Sequence, residues 1–344
     1  MTSPSSEETF AFDPSAFEKR LQEHYRGLLS SFISTCRNMV YFHGVFCLLF
    51  FTQVTLFFCS SASYLSLNMA IFLASVFFTG LLYCFLLFFL KERKKEEFEI
   101  AVETFLQKSR QSIGTPPSLA EHHISLAHAC LRLVDYLDDF EKSLYPGYTS
   151  SSWIGTFSQQ VSACCHRFDV FVLKELLMKA AIGEHIAQVH VTPVDLEIHT
   201  SLATTYILSS KMYLALQEKI EESLFRFFHK KGEEMMAKQA RHSMKQALEE
   251  YLIINHYVPD DPWVHRQLAK SYRSLSMIEK EILEYETILQ LSPQDDQAMV
   301  LLGTLYFQQG ETAKGLLIYE SLKNLNPKKA EIILRHYGKE ASCA

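Results

Sequence analysis

Asp135, Asp138 and Asp139 are the residues whose spacing most directly suggests chemistry. On one helix they would share a face, and three carboxylates so placed could hold a divalent cation for a membrane enzyme or transport component. No second acidic cluster accompanies them, so a solvated acidic face is the plainer expectation. His122, His123, His128, His185 and His190 lack the i, i+4 spacing with a partnered glutamate that a metal-binding helix uses. Cys164 and Cys165 beside His166 raise redox chemistry or acylation, with an inert or buried pair as the plainer expectation. Cys36 precedes an apolar run and is a further acylation candidate. Arg266, Lys270 and Arg273 recur at helical spacing, a basic stripe suited to an acidic segment or a free carboxylate.

What the chain lacks narrows the classes. It carries no GxxxxGK[ST], GxSxG, HExxH or dinucleotide fingerprint, so no enzyme and no cofactor is expected. The eight cysteines form no CxxC pair, which suggests neither a disulfide framework nor a metal site. A formal net charge of −6 offers no electrostatic footprint for nucleic acid.

These groups must be positioned by helices. No stretch alternates as a strand bounded by hairpin turns, so the expected fold is all-α. Residues 38–90 contain no Lys, Arg, Asp or Glu. As one helix, residues 39–90 would run to about 78 Å, far beyond a hydrocarbon core of about 30 Å. Two spans fit, 39–59 and 69–90, with "SSASYLSLN" as the turn of a transmembrane hairpin in the lipid bilayer. Arg26 and Arg37 precede the first span, and Lys91, Arg93, Lys94 and Lys95 follow the second, so both termini are expected on the cytoplasmic side. His43, Gln53 and Asn68 are polar positions in this region, read as parts of an anchor rather than of a pore.

The expected organisation is an N-terminal tail with a short helix (1–38), the hairpin (39–90), a juxtamembrane helix and linker (91–117), a helical segment opened by a capping box at Ser118 and Glu121 (118–192), and a repeat domain (193–344). How 118–192 packs is not legible.

The repeat is the strongest signal. Pro259, Pro293 and Pro327 are spaced by 34 residues, as are Tyr251, Tyr285 and Tyr319. In the same register Leu268 matches Leu302, Ala269 matches Gly303, and Tyr272 matches Tyr306. "PVDLEIHTSLATTY" repeats as "PDDPWVHRQLAKSY" after 66 residues.

These residues resemble the tetratricopeptide repeat (TPR), whose unit is a pair of antiparallel helices. The resemblance implies an α-solenoid with units at about 196–227, 228–261, 262–295 and 296–329 and a capping helix at 330–337. It also implies that Trp263, Arg266, Lys270, Arg273, Thr304 and Phe307 face a groove that holds a protein or peptide partner. The Lys/Asn carboxylate clamp of some relatives is broken here, by Gln267, Lys270, Gln297 and Leu301. Glu281 replaces the small residue found at Ala247 and Gly315, which questions the packing of its helix. A membrane-anchored adaptor is the leading expectation, in a bacterial inner membrane or a host-derived vacuole. In layout alone, the hairpin behind a Ser/Thr-rich start resembles chlamydial inclusion membrane proteins.

Overall fold

The computed structural model describes residues 14–61, 66–113, 120–142, 144, 153–221, 230–335 and 337. Among these residues the chain is helical and has no strand. The expected tail, hairpin tip and Gly-Pro-Pro break lie wholly or partly outside the described residues. The helices are α1 (Pro14–Ser61), α2 (Ser66–Ser112), α3 (Ala120–Tyr136), α4 (Trp153–Val191), α5 (Leu196–Glu221), α6 (Lys230–Tyr257), α7 (Pro262–Ser274), α8 (Ile278–Leu291), α9 (Asp296–Gln308), α10 (Thr312–Leu325) and α11 (Pro327–Leu334). They divide into two compact units, Met1–Glu184 and His185–Ala344.

In the first unit α1 and α2 run antiparallel, each about 70 Å long. Phe57 stacks on Phe72, Gln53 Nε2 donates to Thr79 Oγ1 at 2.7 Å, and His43 meets the Tyr83 hydroxyl at 3.1 Å. Thr35 donates to Glu97 further along the same pair. Gln53 and His43 thus latch one helix to the other. Both helices contain stretches long and apolar enough to cross a membrane. There Leu48, Phe58, Phe85 and Phe88 are about two-thirds exposed, an arrangement that water would penalise and hydrocarbon would not.

The short helix expected ahead of the first apolar run is not separate. It is the beginning of α1, because nothing between Pro14 and Ser61 breaks the i to i+4 ladder. Likewise α2 continues from its apolar part through the charged "KERKKEEFEI" to Ser112. The polar ends of both helices carry the core that the sequence left unassigned. Leu28 and Phe32 of α1, Phe98 and Phe105 of α2, Leu133 of α3 with Leu137 just past its end, and Leu173 and Leu177 of α4 bury one another. Within the first unit, residues 120–184 therefore close a four-helix cluster on the extended ends of α1 and α2. Arg110 and His123 both bind Glu184 at 2.7 Å across it.

The second unit is a stack of TPR-like helix pairs, α5/α6, α7/α8 and α9/α10, ended by α11. Asp261 starts α7 by accepting from Trp263 N, and Asp295 starts α9 by accepting from Gln297 N and Ala298 N. Leu268 with Tyr251 and Ile254, Leu302 with Tyr285 and Ile288, and Leu322 with Phe307 and Ile333 fill successive layers. A Cβ on Gly303 would lie 2.9 Å from Ile333 Cδ1, so α11 approaches α9 as closely as it does because that residue is glycine. The end helix begins at Pro327, three residues earlier than expected, with Asn326 as its cap.

The two units expected at 196–227 and 228–261 are one. Each of α5 and α6 is unbroken across the point where a 34-residue unit would turn. The hydrogen bonding confirms the register. His199 of α5 binds Glu250 of α6 at 2.6 Å and the Pro193 carbonyl at 3.1 Å. His265 of α7 binds Glu284 of α8 at 2.6 Å and the Pro259 carbonyl at 2.7 Å. The histidines are 66 residues apart and the glutamates 34, so the extra length lies between the start of α5 and the end of α6 and lengthens both helices.

Candidate functional site

A groove of about 750 Å³ opens in the second unit, walled by α5, α6 and α7. Its apolar floor includes Ile207, Leu214, Met244 and Tyr251, and Trp263 stands at its edge. The Trp263 indole meets the Tyr251 ring edge to face at 6.1 Å yet remains 43% exposed, so it packs on one side and offers the other. Lys211 of α5, Arg241 of α6 and Lys270 of α7 line the same groove, and no lining residue carries a carboxylate. All three cations are exposed, and none is ion-paired among the described residues. Three positive charges without a counter-ion among the described residues, over an apolar floor, would suit an anionic, partly apolar ligand.

The six residues implied by the repeat do not share this groove. Trp263 and Lys270 line it. Arg266 turns toward the next pair, binding Asp295 and, at 3.2 Å, Gln297 Oε1. Arg273 reaches into its own pair, where it holds Glu281 at 2.6 Å and lies over the Tyr285 ring. The continuous stripe is thus broken by carboxylates on neighbouring elements. Phe307 is buried against α10 and meets Tyr337 edge to face, so it is a core residue rather than a groove contact. Thr304 is half-buried on α9, outside the groove. Reading Lys211 and Arg241 as site residues needed the insertion in α5 and α6 to be placed, and spacing alone did not place it.

The carboxylate cluster is also redistributed. Helix α3 ends at Tyr136, so Asp135 is helical while Asp138 and Asp139 follow the helix end. Asp139 has φ 57° and pairs with Lys142 at 3.0 Å, and Asp138 binds Lys174. The shared helical face that a cation would need does not form. Cys36 is fully buried, which removes it as an acylation candidate. Cys165 is exposed, so of the expected inert or buried pair this residue is not the buried kind, and the Cys164 side chain lies outside the described residues.

No protein-family model matches the chain, and no curated protein matches it in sequence. Among solved structures it is similar to MamA MSR-1 C2, with 13% identity and a TM-score of 0.32 over 60% of this chain and 94% of that one. It is likewise similar to MamA 41-end from Desulfovibrio magneticus RS-1, with 12% identity and a TM-score of 0.31 over 61% of this chain and 96% of that one. Superpositions this loose carry no functional meaning, and the repeat architecture rests on the register and the helix pairs themselves.

Proposed function

We propose that the protein is a membrane-anchored scaffold that captures an acidic segment of a protein partner between α5, α6 and α7. The observation that carries this reading is the union of Lys211, Arg241 and Lys270 in a groove whose lining carries no carboxylate. Carboxylates of a bound segment would replace the missing counter-charges, and Trp263 would receive an apolar side chain beside them. The exposed apolar belts of α1 and α2 support anchoring, which raises the partner's effective concentration at the surface. The lysines and arginines beside those belts support both chain ends on one side, facing the cytoplasm from a bacterial inner membrane or the host cytosol from a vacuole. The reading does not call on catalysis or a cofactor.

The test uses the full chain in detergent micelles and a fluorescent peptide of alternating Glu and Leu. Anisotropy should show saturable binding that weakens with salt and falls at least about tenfold in a K211E/R241E/K270E variant, as losing charge-assisted contacts requires. A charge reversal of Arg266, which lies outside the groove, should leave affinity nearly unchanged. Equal affinity of the wild type and the triple variant would reject the site.

A further inference from the structure

Three helices of the first unit bring four different functional groups to one point. Cys36 lies on α1, Lys94 on α2, and His166 and Asp169 on α4. Asp169 Oδ2 is 3.0 Å from His166 Nδ1, 3.8 Å from Cys36 Sγ and 2.6 Å from Lys94 Nζ. The sulfur, the ring nitrogen and the carboxylate oxygen all lie within 4.8 Å of one another. Cys36 is fully buried and the His166 side chain is 4% exposed.

We propose that Cys36, His166 and Asp169 bind one zinc ion, and that the Lys94 ammonium occupies the cation's place in the metal-free protein. The donor set selects the metal. A thiolate, an imidazole and a carboxylate suit Zn²⁺, whereas Mg²⁺ and Ca²⁺ take oxygen ligands. Ligand atoms around one tetrahedral ion are separated by roughly 3–4 Å, and these three need little movement to reach that spacing. An Asp169–Lys94 ion pair alone would account for the carboxylate, but it leaves a thiol aimed at a carboxylate where a methyl group would fill the core without a polar atom.

On binding, the Cys36 thiol gives its proton to solvent and its sulfur bonds the metal. Thiolate and carboxylate then neutralise the ion's two charges, so Lys94 must leave Asp169. Water completes the fourth position. The ion joins α1 to α4, whose ligands stand at positions 36, 166 and 169, a separation no local sequence motif displays.

The experiment titrates the full chain in detergent micelles with Zn²⁺, and with Co²⁺ as a coloured substitute. The expected result is one equivalent bound, with a sulfur-to-cobalt charge-transfer band that Cys36→Ser abolishes while the other seven cysteines remain. Lys94→Gln keeps every ligand and removes the competing ammonium, so it should bind about tenfold tighter, the scale on which groups just outside a metal's ligands act. Circular dichroism checks that each variant keeps its helices. Absence of the thiolate band in wild-type protein, its persistence in Cys36→Ser, or unchanged affinity in Lys94→Gln would each overturn the proposal, the last without disturbing a ligand.

Discussion

Arg273 and Glu281 meet at 2.6 Å in the positions that Phe307 and Gly315 occupy one repeat later. In the later unit the Phe307 ring lies so close that a Cβ on Gly315 would be 2.6 Å from it. One register position is thus closed by an aromatic ring over glycine in one unit and by a guanidinium on a buried carboxylate in the other. Glu281 is no packing fault, because Arg273 reaches it.

Arg273→Ala should destabilise the second unit by about 2–3 kcal/mol, less than the 3–5 of a wholly buried pair because half of Arg273 stays in water. A Trp153→Phe background leaves Trp263 as the sole tryptophan, so its fluorescence in a urea titration reports on this unit. The double variant R273F/E281G should recover most of the loss, less about 1 kcal/mol for glycine inside a helix. If it is no better than Arg273→Ala, the two pairs are not interchangeable.

Gly315→Ala should cost about 1–3 kcal/mol by overpacking against Phe307. Adding Phe307→Leu should restore part of that loss, since the shorter side chain vacates the ring's position. The same urea titration measures both, and additive losses would contradict the close approach.

Asp261→Ala should cost about 1 kcal/mol, the usual effect of removing a helix cap. Asp295→Ala should cost more, because Asp295 caps α9 through Oδ1 and holds Arg266 through Oδ2, tying two pairs together. An equal loss at both positions would mean that the Arg266 bond adds nothing to stability.

His199 should make the second unit more stable in mild acid. Burial depresses its pKa, but the hydrogen bonds that its ring donates to Glu250 and to the Pro193 carbonyl outweigh that and hold it above its ordinary 6.5. A raised folded pKa gives stabilisation that is complete below pH 6.5 and fades as pH rises through the folded value. Urea midpoints of wild type and His199→Gln should therefore differ most near pH 6 and converge above neutrality. A gap that widens with pH would reverse the assignment.

Much of the fold is legible because its signals are local. Apolar runs without charge mark the long helices, and a proline and a tyrosine returning every 34 residues mark the stacked pairs. The merging of the first two expected units was half-visible, since 66 residues separate the first two copies of the motif instead of 68. Only the unbroken α5 and α6 show that the extra residues lengthen one pair rather than build another. The Cys36, His166 and Asp169 cluster was illegible, because its members are distant in sequence and α4 had no assigned neighbour.

That the chain is helical, where its apolar stretches fall, and the register in which the later pairs repeat all follow from residue spacing along the chain, with no need of a neighbouring helix. Which charges remain available is set by packing between helices. Arg266 and Arg273 are consumed by Asp295 and Glu281, while Lys211 and Arg241 join Lys270 in a groove. Periodicity fixes the side of a helix on which a cation stands. Whether it finds a carboxylate depends on what the neighbouring helix brings within about 4 Å, and packing alone settles that.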